Sequence, residues 1–406
     1  MTIYKKIKTP PKKLNIELFI FVFSIIFAPK IGLLDLKVIV EFVFLSLSIA
    51  RNQSINFEKR NLPLVLLLFF IIILFLVSSV NNAHLQYAIL FRYLRCLFSL
   101  FVIMIYVKSR EIEIDTLMNV LVIVLLIHAI MIIISIILPN FEHYLYFISQ
   151  YNKKFLRYRS TGLLSGYDYA GYYTNIGFVL SIVRNVMKKK NLINISALLF
   201  AIATVFTSRI NTIILFVTVV LVIIYSLKKN NASLSMSVFF LIPILVMGSM
   251  FTILTISSFN SLKFRLIQNY EIVYQLNKVV NETYSDNVLE NSIESQYKID
   301  KGMNIFLGKG EKARTDPGII NTIYEIGLIG LALKMSYYLY MTYIVLKIKY
   351  EKYYSWFLLY VIILTSIFEL KLIFYFSTGT FELITLLFMC YCAKDLQKKQ
   401  SNYILI

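Results

Sequence analysis

Apolar runs of about 20 residues recur about twelve times along the chain, and that is the length an α-helix needs to cross roughly 30 Å of hydrocarbon. The runs begin near Asn15, Ile31, Leu62, His84, Thr116, Thr161, Leu192, Ser208, Leu234, Gly318, Tyr353 and Leu372. Asp35, Lys37, Glu41, Glu369, Lys371 and Glu382 interrupt the second and the last two. The pattern predicts an all-α polytopic membrane protein with about twelve transmembrane helices. It divides into a bundle of spans over 1–257, a long external loop over 258–317, and further spans over 318–406. No small-residue cleavage site follows the first run, so that run is expected to stay attached as a span.

Two connections break the rhythm. Pro139 to Ser160 carries Lys153, Lys154, Arg157 and Arg159 on the side expected to be external, where positive charge is disfavoured. Ser258 to Pro317 is far longer than the usual helix connection, and such loops are functional or disordered. Phe264, Ile267, Tyr270 and Tyr274 recur there at helical spacing, so amphipathic helices over the external face are expected.

Composition sharpens the picture. Of 406 residues, 58% are hydrophobic and 16% charged, and mean hydropathy is +0.72, which excludes a soluble globule. The formal charge of +19 is mostly topology, because roughly 22 of the 41 basic residues fall in alternate short loops and at both ends, which places both termini in the cytoplasm. Dispersed in this way, they do not form a nucleic-acid face. Cys96, Cys390 and Cys392 lie in or at the end of apolar runs and read as buried filler, and no metal ligand spacing occurs. His84, His128 and His143 are scattered, and no GxxxxGK[ST], HExxH or GxSxG pattern is present.

The polar chemistry concentrates in a few places. Arg157 and Arg159 precede Thr161-Gly162, with Asp168 one to two turns into the sixth run; arginine forks suit phosphate oxygens or anionic lipid heads. Arg209 stands in the tight break between the seventh and eighth runs, where Ser208 suits a helix start. Arg92 and Arg95, three apart, share a helical face within the membrane, where they contact either substrate or an acid such as Asp168, Glu369 or Glu382. The stretch Gly302 to Gly330 reads as the floor of a site. There Gly308, Lys309, Gly310, Lys312, Arg314 and Asp316 lead through Pro317 into a span that carries Glu325. Asp316 is placed either to cap that helix or to serve as a catalytic carboxylate.

Three of these segments together, over about 170 residues, resemble the O-antigen polymerase and ligase superfamily of bacterial envelope polysaccharide synthesis. Arg159-Ser160-Thr161-Gly162 is similar to its Arg-x-x-Gly segment and Thr207-Ser208-Arg209 to its Ser-Arg turn. Gly308-Lys309-Gly310, with Glu325-Ile326-Gly327-Leu328-Ile329-Gly330, is similar to its Gly-x-Gly loop and following Glu-x-Gly-x-x-Gly helix. The ligase branch carries a histidine nine residues before that glutamate, where Asp316 stands here, so the resemblance favours the polymerase branch.

The resemblance implies a GT-C-like fold in the bacterial cytoplasmic membrane and metal-independent glycosyl transfer, without cofactor, from an undecaprenyl diphosphate carrier to the next lipid-linked repeat unit. A chain-length regulator and a flippase would be its partners. Under that expectation Arg159 and Arg209 stabilise the leaving diphosphate and Asp316 serves the acceptor hydroxyl, while Arg157, Arg265, Arg314, Lys309, Arg92, Arg95, Asp168 and Glu325 contact substrate. For the upstream arginine of the family, Arg265, Lys298 and Lys301 are alternatives. The competing classes are a flippase for the same lipid-linked unit, a ligase, and a membrane acyltransferase, which would want a histidine at the interface.

Overall fold

The structure, a computed structural model, describes residues 15–31, 34–50, 59–83, 85–138, 141, 144–145, 160–187, 195–228, 297, 299–300, 303–313, 315–348 and 352–404. Among them are eleven α-helices: α1 (Ile16–Phe27), α2 (Leu36–Ala50), α3 (Leu62–Asn81), α4 (Tyr87–Arg110), α5 (Ile114–Ile137), α6 (Tyr167–Met187), α7 (Ile195–Val205), α8 (Arg209–Lys228), α9 (Gly318–Lys347), α10 (Lys352–Glu369) and α11 (Thr380–Ile404). The exception to helix is a two-rung antiparallel bridge, Lys30 opposite Asp35 and Ile31 opposite Leu34, which turns the chain from α1 into α2.

Among the described residues, four helices are long and apolar enough to cross a membrane: Lys59–Asn81, Tyr87–Arg110, Ile114–Ile137 and Gly318–Lys347. The chain is therefore a membrane-embedded helical protein. Helix starts follow the apolar runs closely, and the run from Leu234, like the loop with Phe264 to Tyr274, lies outside the described residues. The largest offset is at the end, where α11 starts at Thr380 rather than near Leu372. Glu369 Oε2 accepts the amides of Phe374 (2.5 Å) and Tyr375 (2.7 Å), which fixes 370–379 as a turn although Phe374 and Phe376 are fully buried.

Local chemistry sets the other ends. Asn15 Oδ1 accepts the Leu18 amide at 3.1 Å to start α1, and Pro63 sits in the first turn of α3, where a missing N–H costs nothing. A single large core runs through the bundle, and a smaller one of Ala313, Ile320, Ile323 and Tyr324 seats the 303–313 segment on α9.

The two ends of the bundle differ. At one, Arg110 pairs with Glu17 (2.5 Å), Lys394 with Asp115 (2.6 Å), Arg184 bonds Asn119, and the Arg60 carbonyl accepts from Tyr340. At the other, loop meets loop: Asn82 donates to the Gly308 carbonyl, the Lys312 amide to Gln86, and Tyr169 to the Ile373 carbonyl. Arg60, Arg110, Arg184 and Lys394 thus mark a basic end away from the glycine loop, while Lys309, Lys312 and Lys371 lie at the loop's own end.

Candidate functional site

The expected continuous helix after Gly308-Lys309-Gly310 is broken. Gly327 has φ 69 and ψ −174 inside α9, a conformation open to glycine and costly for other residues. Two bonds that would cross this point in an intact helix are diverted into the loop. The Tyr324 carbonyl accepts from Lys309 N (2.7 Å) and Gly310 N (3.2 Å) instead of Leu328 N, which donates to the Ile305 carbonyl at 2.9 Å. The Ile329 amide turns to the Phe306 carbonyl at 3.4 Å. The two glycine motifs read in the sequence therefore interlock, and a Cβ on Gly308 would lie 2.6 Å from the Gly327 nitrogen. Helix α3 supports the loop from below, where Ser78 Oγ donates to the Leu307 carbonyl. Non-helical backbone at such depth is tolerated because protein surrounds it and satisfies its polar groups.

Immediately before the break, Glu325 is the centre of a buried ion cluster. Its carboxylate accepts from Arg92 Nη2 at 2.5 Å and from the Tyr93 hydroxyl at 2.5 Å, and Lys334 Nζ stands 3.7 Å away. Lys334 is fully buried, donates to Thr322 Oγ1 at 2.9 Å, and lies 5.2 Å from the Tyr93 ring and 5.6 Å from that of Phe376. Arg92 keeps 17% of its side chain accessible, and its buried Nε has no hydrogen-bond partner among the described residues. The acid beside Arg92 is thus Glu325, in place of the Asp168, Glu369 or Glu382 weighed from sequence. Arg95 is half-buried, and its Nε also lacks a hydrogen-bond partner among the described residues. A second cluster lies beside it, in which Lys37 bonds Glu382 and stands 3.8 Å from Glu41, while Ser99 donates to Glu41 at 2.7 Å.

The rim of this end brings the other motifs close. The Ser160 amide, next to Arg159, donates to the Phe206 carbonyl at 3.2 Å, three residues before Arg209. Asn211 Nδ2 donates to the carbonyl of Asp168 (3.2 Å) and to Ser208 Oγ (2.7 Å). Asp168 lies in the first turn of α6, shallower than expected, and its carboxylate pairs with Lys371 at 2.9 Å. Gly318 packs on the Leu372 carbonyl and the Glu369 carboxylate, so the start of α9 joins the same rim. Asp316 is exposed, its carboxylate makes no hydrogen bond or ion pair among the described residues, and it does not cap α9, whose first turn has no side-chain cap. Its carbonyl instead accepts from Asn321 Nδ2 at 3.3 Å. Lys309 pairs with Asp300 at 2.9 Å, and that hydrogen bond holds its ammonium above the ordinary lysine range.

Arg157, Arg159, Arg265 and Arg314 lie outside the described residues, as do His84 and His143, and Arg209 is described by its backbone as the first residue of α8. His128 is buried, with Nδ1 accepting the Leu163 amide at 3.3 Å. Cys96, Cys390 and Cys392 are buried thiols, and Cys96 Sγ donates to the Phe376 carbonyl at 3.6 Å. Among the described residues no cluster of three His, Cys, Asp or Glu offers a metal site. Sequence reasoning passed over Lys334, Tyr93 and Thr322. The available signal was a lysine in mid-span, since an ionisable residue at that depth has a partner or a function. Comparison with protein-family models, curated proteins and solved structures gives no match for this chain.

Proposed function

We propose that the chain is a glycosyltransferase that polymerises undecaprenyl-diphosphate-linked oligosaccharide repeat units at the outer face of a bacterial cytoplasmic membrane. We read it with about twelve spans and the basic end, with both termini, in the cytoplasm. The observation that carries the reading is the interlock of Gly308 and Gly310 with the break at Gly327, at the same bundle end as Ser160, Ser208, Asp168 and Asp316. Polar groups gathered there suit a lipid-borne diphosphate at headgroup depth, its chain remaining in the bilayer.

In the reaction, the bond from the anomeric carbon to the diphosphate oxygen breaks as a bond to the acceptor hydroxyl oxygen forms. Arg159 and Arg209 stabilise the charge that develops on the departing diphosphate, Arg92 supplies a deeper donor, and Asp316 takes the hydroxyl proton. Lys309, Arg95, Arg157, Arg265, Arg314 and Asp168 are assigned to substrate contact, and Glu325 orients Arg92. The energy comes from the activated diphosphate, which accounts for a chain without an ATP motif.

Purified protein given a defined lipid-linked repeat unit should yield a ladder of polymer. Arg159→Ala, Arg209→Ala or Asp316→Ala should abolish it while single units still reach the outer face in cells. A wild-type preparation that binds the unit and forms no ladder would refute the assignment. The broken helix and its buried charges also fit a transporter, whose substrate sites form at discontinuous helices. Under that second reading the same variants would trap single units on the cytoplasmic side.

A further inference from the structure

Lys334 and Glu325 are nine residues apart in one helix. At 100° and 1.5 Å per residue, an unbroken helix would point them to opposite faces, about 13.5 Å apart along the axis. Thr322 and Lys334 would be about 18 Å apart. Yet Lys334 Nζ bonds Thr322 Oγ1 at 2.9 Å and stands 3.7 Å from Glu325 Oε2. Both contacts exist because α9 breaks at Gly327 and folds its halves toward each other. The contacts and the bend are therefore linked: whatever straightens the helix must pull a fully buried ammonium from its partners.

We propose that Lys334 is a positioning residue, an electrostatic clamp that reaches from the far half of α9 (328–347) to the near half (318–326) and holds the bend at which the 303–313 loop docks. Through Glu325 the clamp also fixes Arg92, the member of the cluster with accessible surface. The rings of Tyr93 and Phe376 wall the ammonium, and Tyr93 donates to the same carboxylate, so the lysine has one favourable place to sit. The loop supplies the backbone partners that the break leaves open, and Lys334 supplies the charge that keeps the break bent.

Hydrogen exchange on the full chain in lipid nanodiscs tests the clamp with no substrate present, so its outcome is separate from that of the polymerisation reading. The amides to follow are Lys309, Gly310 and Leu328, whose bonds bridge loop and break. Lys334→Met should speed their exchange about tenfold, the effect of losing one net hydrogen bond or more. Glu325→Gln should do at least as much, since it unpairs Arg92 as well as Lys334, and the double variant should fall short of the sum of the singles, because both remove the Lys334–Glu325 contact. If Lys334→Met does not fold, Thr322→Val, which removes a hydrogen bond of the ammonium and leaves every charge in place, carries the measurement. Unchanged exchange in the variants, or effects that simply add, would overturn the clamp.

Discussion

Replacing Gly327 by alanine probes the break directly. A side chain at φ 69 and ψ −174 occupies glycine-only space, at roughly 1–3 kcal/mol. The new methyl would also overlap the Phe306 carbonyl and lie 2.5 Å from the Leu307 nitrogen, both backbone atoms. Neither yields freely, because the Phe306 and Leu307 carbonyls accept from Ile329 N and Ser78 Oγ. Overpacking of this kind costs about 1–3 kcal/mol, so the direct penalty is roughly 2–6 kcal/mol. The escape route is to undock the loop, which forfeits the bonds of Lys309, Gly310, Leu328 and Ile329 at about 0.5–1.5 kcal/mol each, a similar sum. Either way the variant should lose several kcal/mol in a detergent-unfolding titration, and trypsin should cleave faster after Lys309 and Lys312. Gly166→Ala is the control: its φ is not in the left-handed region and its new methyl would meet Tyr169 Cδ2 at 3.3 Å, so a change within about 1 kcal/mol is expected. A Gly327→Ala protein within about 0.5 kcal/mol of wild type, with unaltered cleavage, would refute the interlock.

Other perturbations separate buried from exposed charge. Lys37→Met leaves Glu382 and Glu41 without their buried cation and should cost about 3–5 kcal/mol, with part regained when Glu382→Leu is added; the unfolding midpoint of both proteins reads it. Asp168→Asn removes a pair whose lysine is 44% exposed, so stability should fall by less than about 1 kcal/mol in the same titration, and a larger loss would point to contacts beyond Lys371.

Hydropathy located the helices well because lipid demands long apolar runs, as the starts at Leu62 and Gly318 attest. It failed at Leu372, since a turn sealed by Glu369 and lined by Phe374 and Phe376 is as apolar as a helix. The glycine motifs were legible as neighbours of a site, but Glu-x-Gly-x-x-Gly reads as ordinary helix, and φ at Gly327 is decided by the loop that docks on it. That is why Lys334 was missed: periodicity assigns it to the face opposite Glu325, and the break reverses the assignment. Asp168, weighed from sequence as a partner for Arg92 and Arg95 or as a substrate contact, pairs with Lys371, a residue no local pattern connects to it.

Helix α1 has 12 residues and α2 has 15, reaching about 18 and 22 Å, whereas the 24 residues of α4 and of α5 reach about 36 Å. The Lys30–Asp35 hairpin therefore turns well short of the thickness the longer helices match, with Lys37 buried just beyond it. Hydrophobic mismatch of that size predicts a thinned bilayer beside the hairpin, with headgroups drawn toward the protein there. The brevity of two helices would then set which bilayer thickness the protein tolerates best, and reconstitution in lipids of graded chain length reads it.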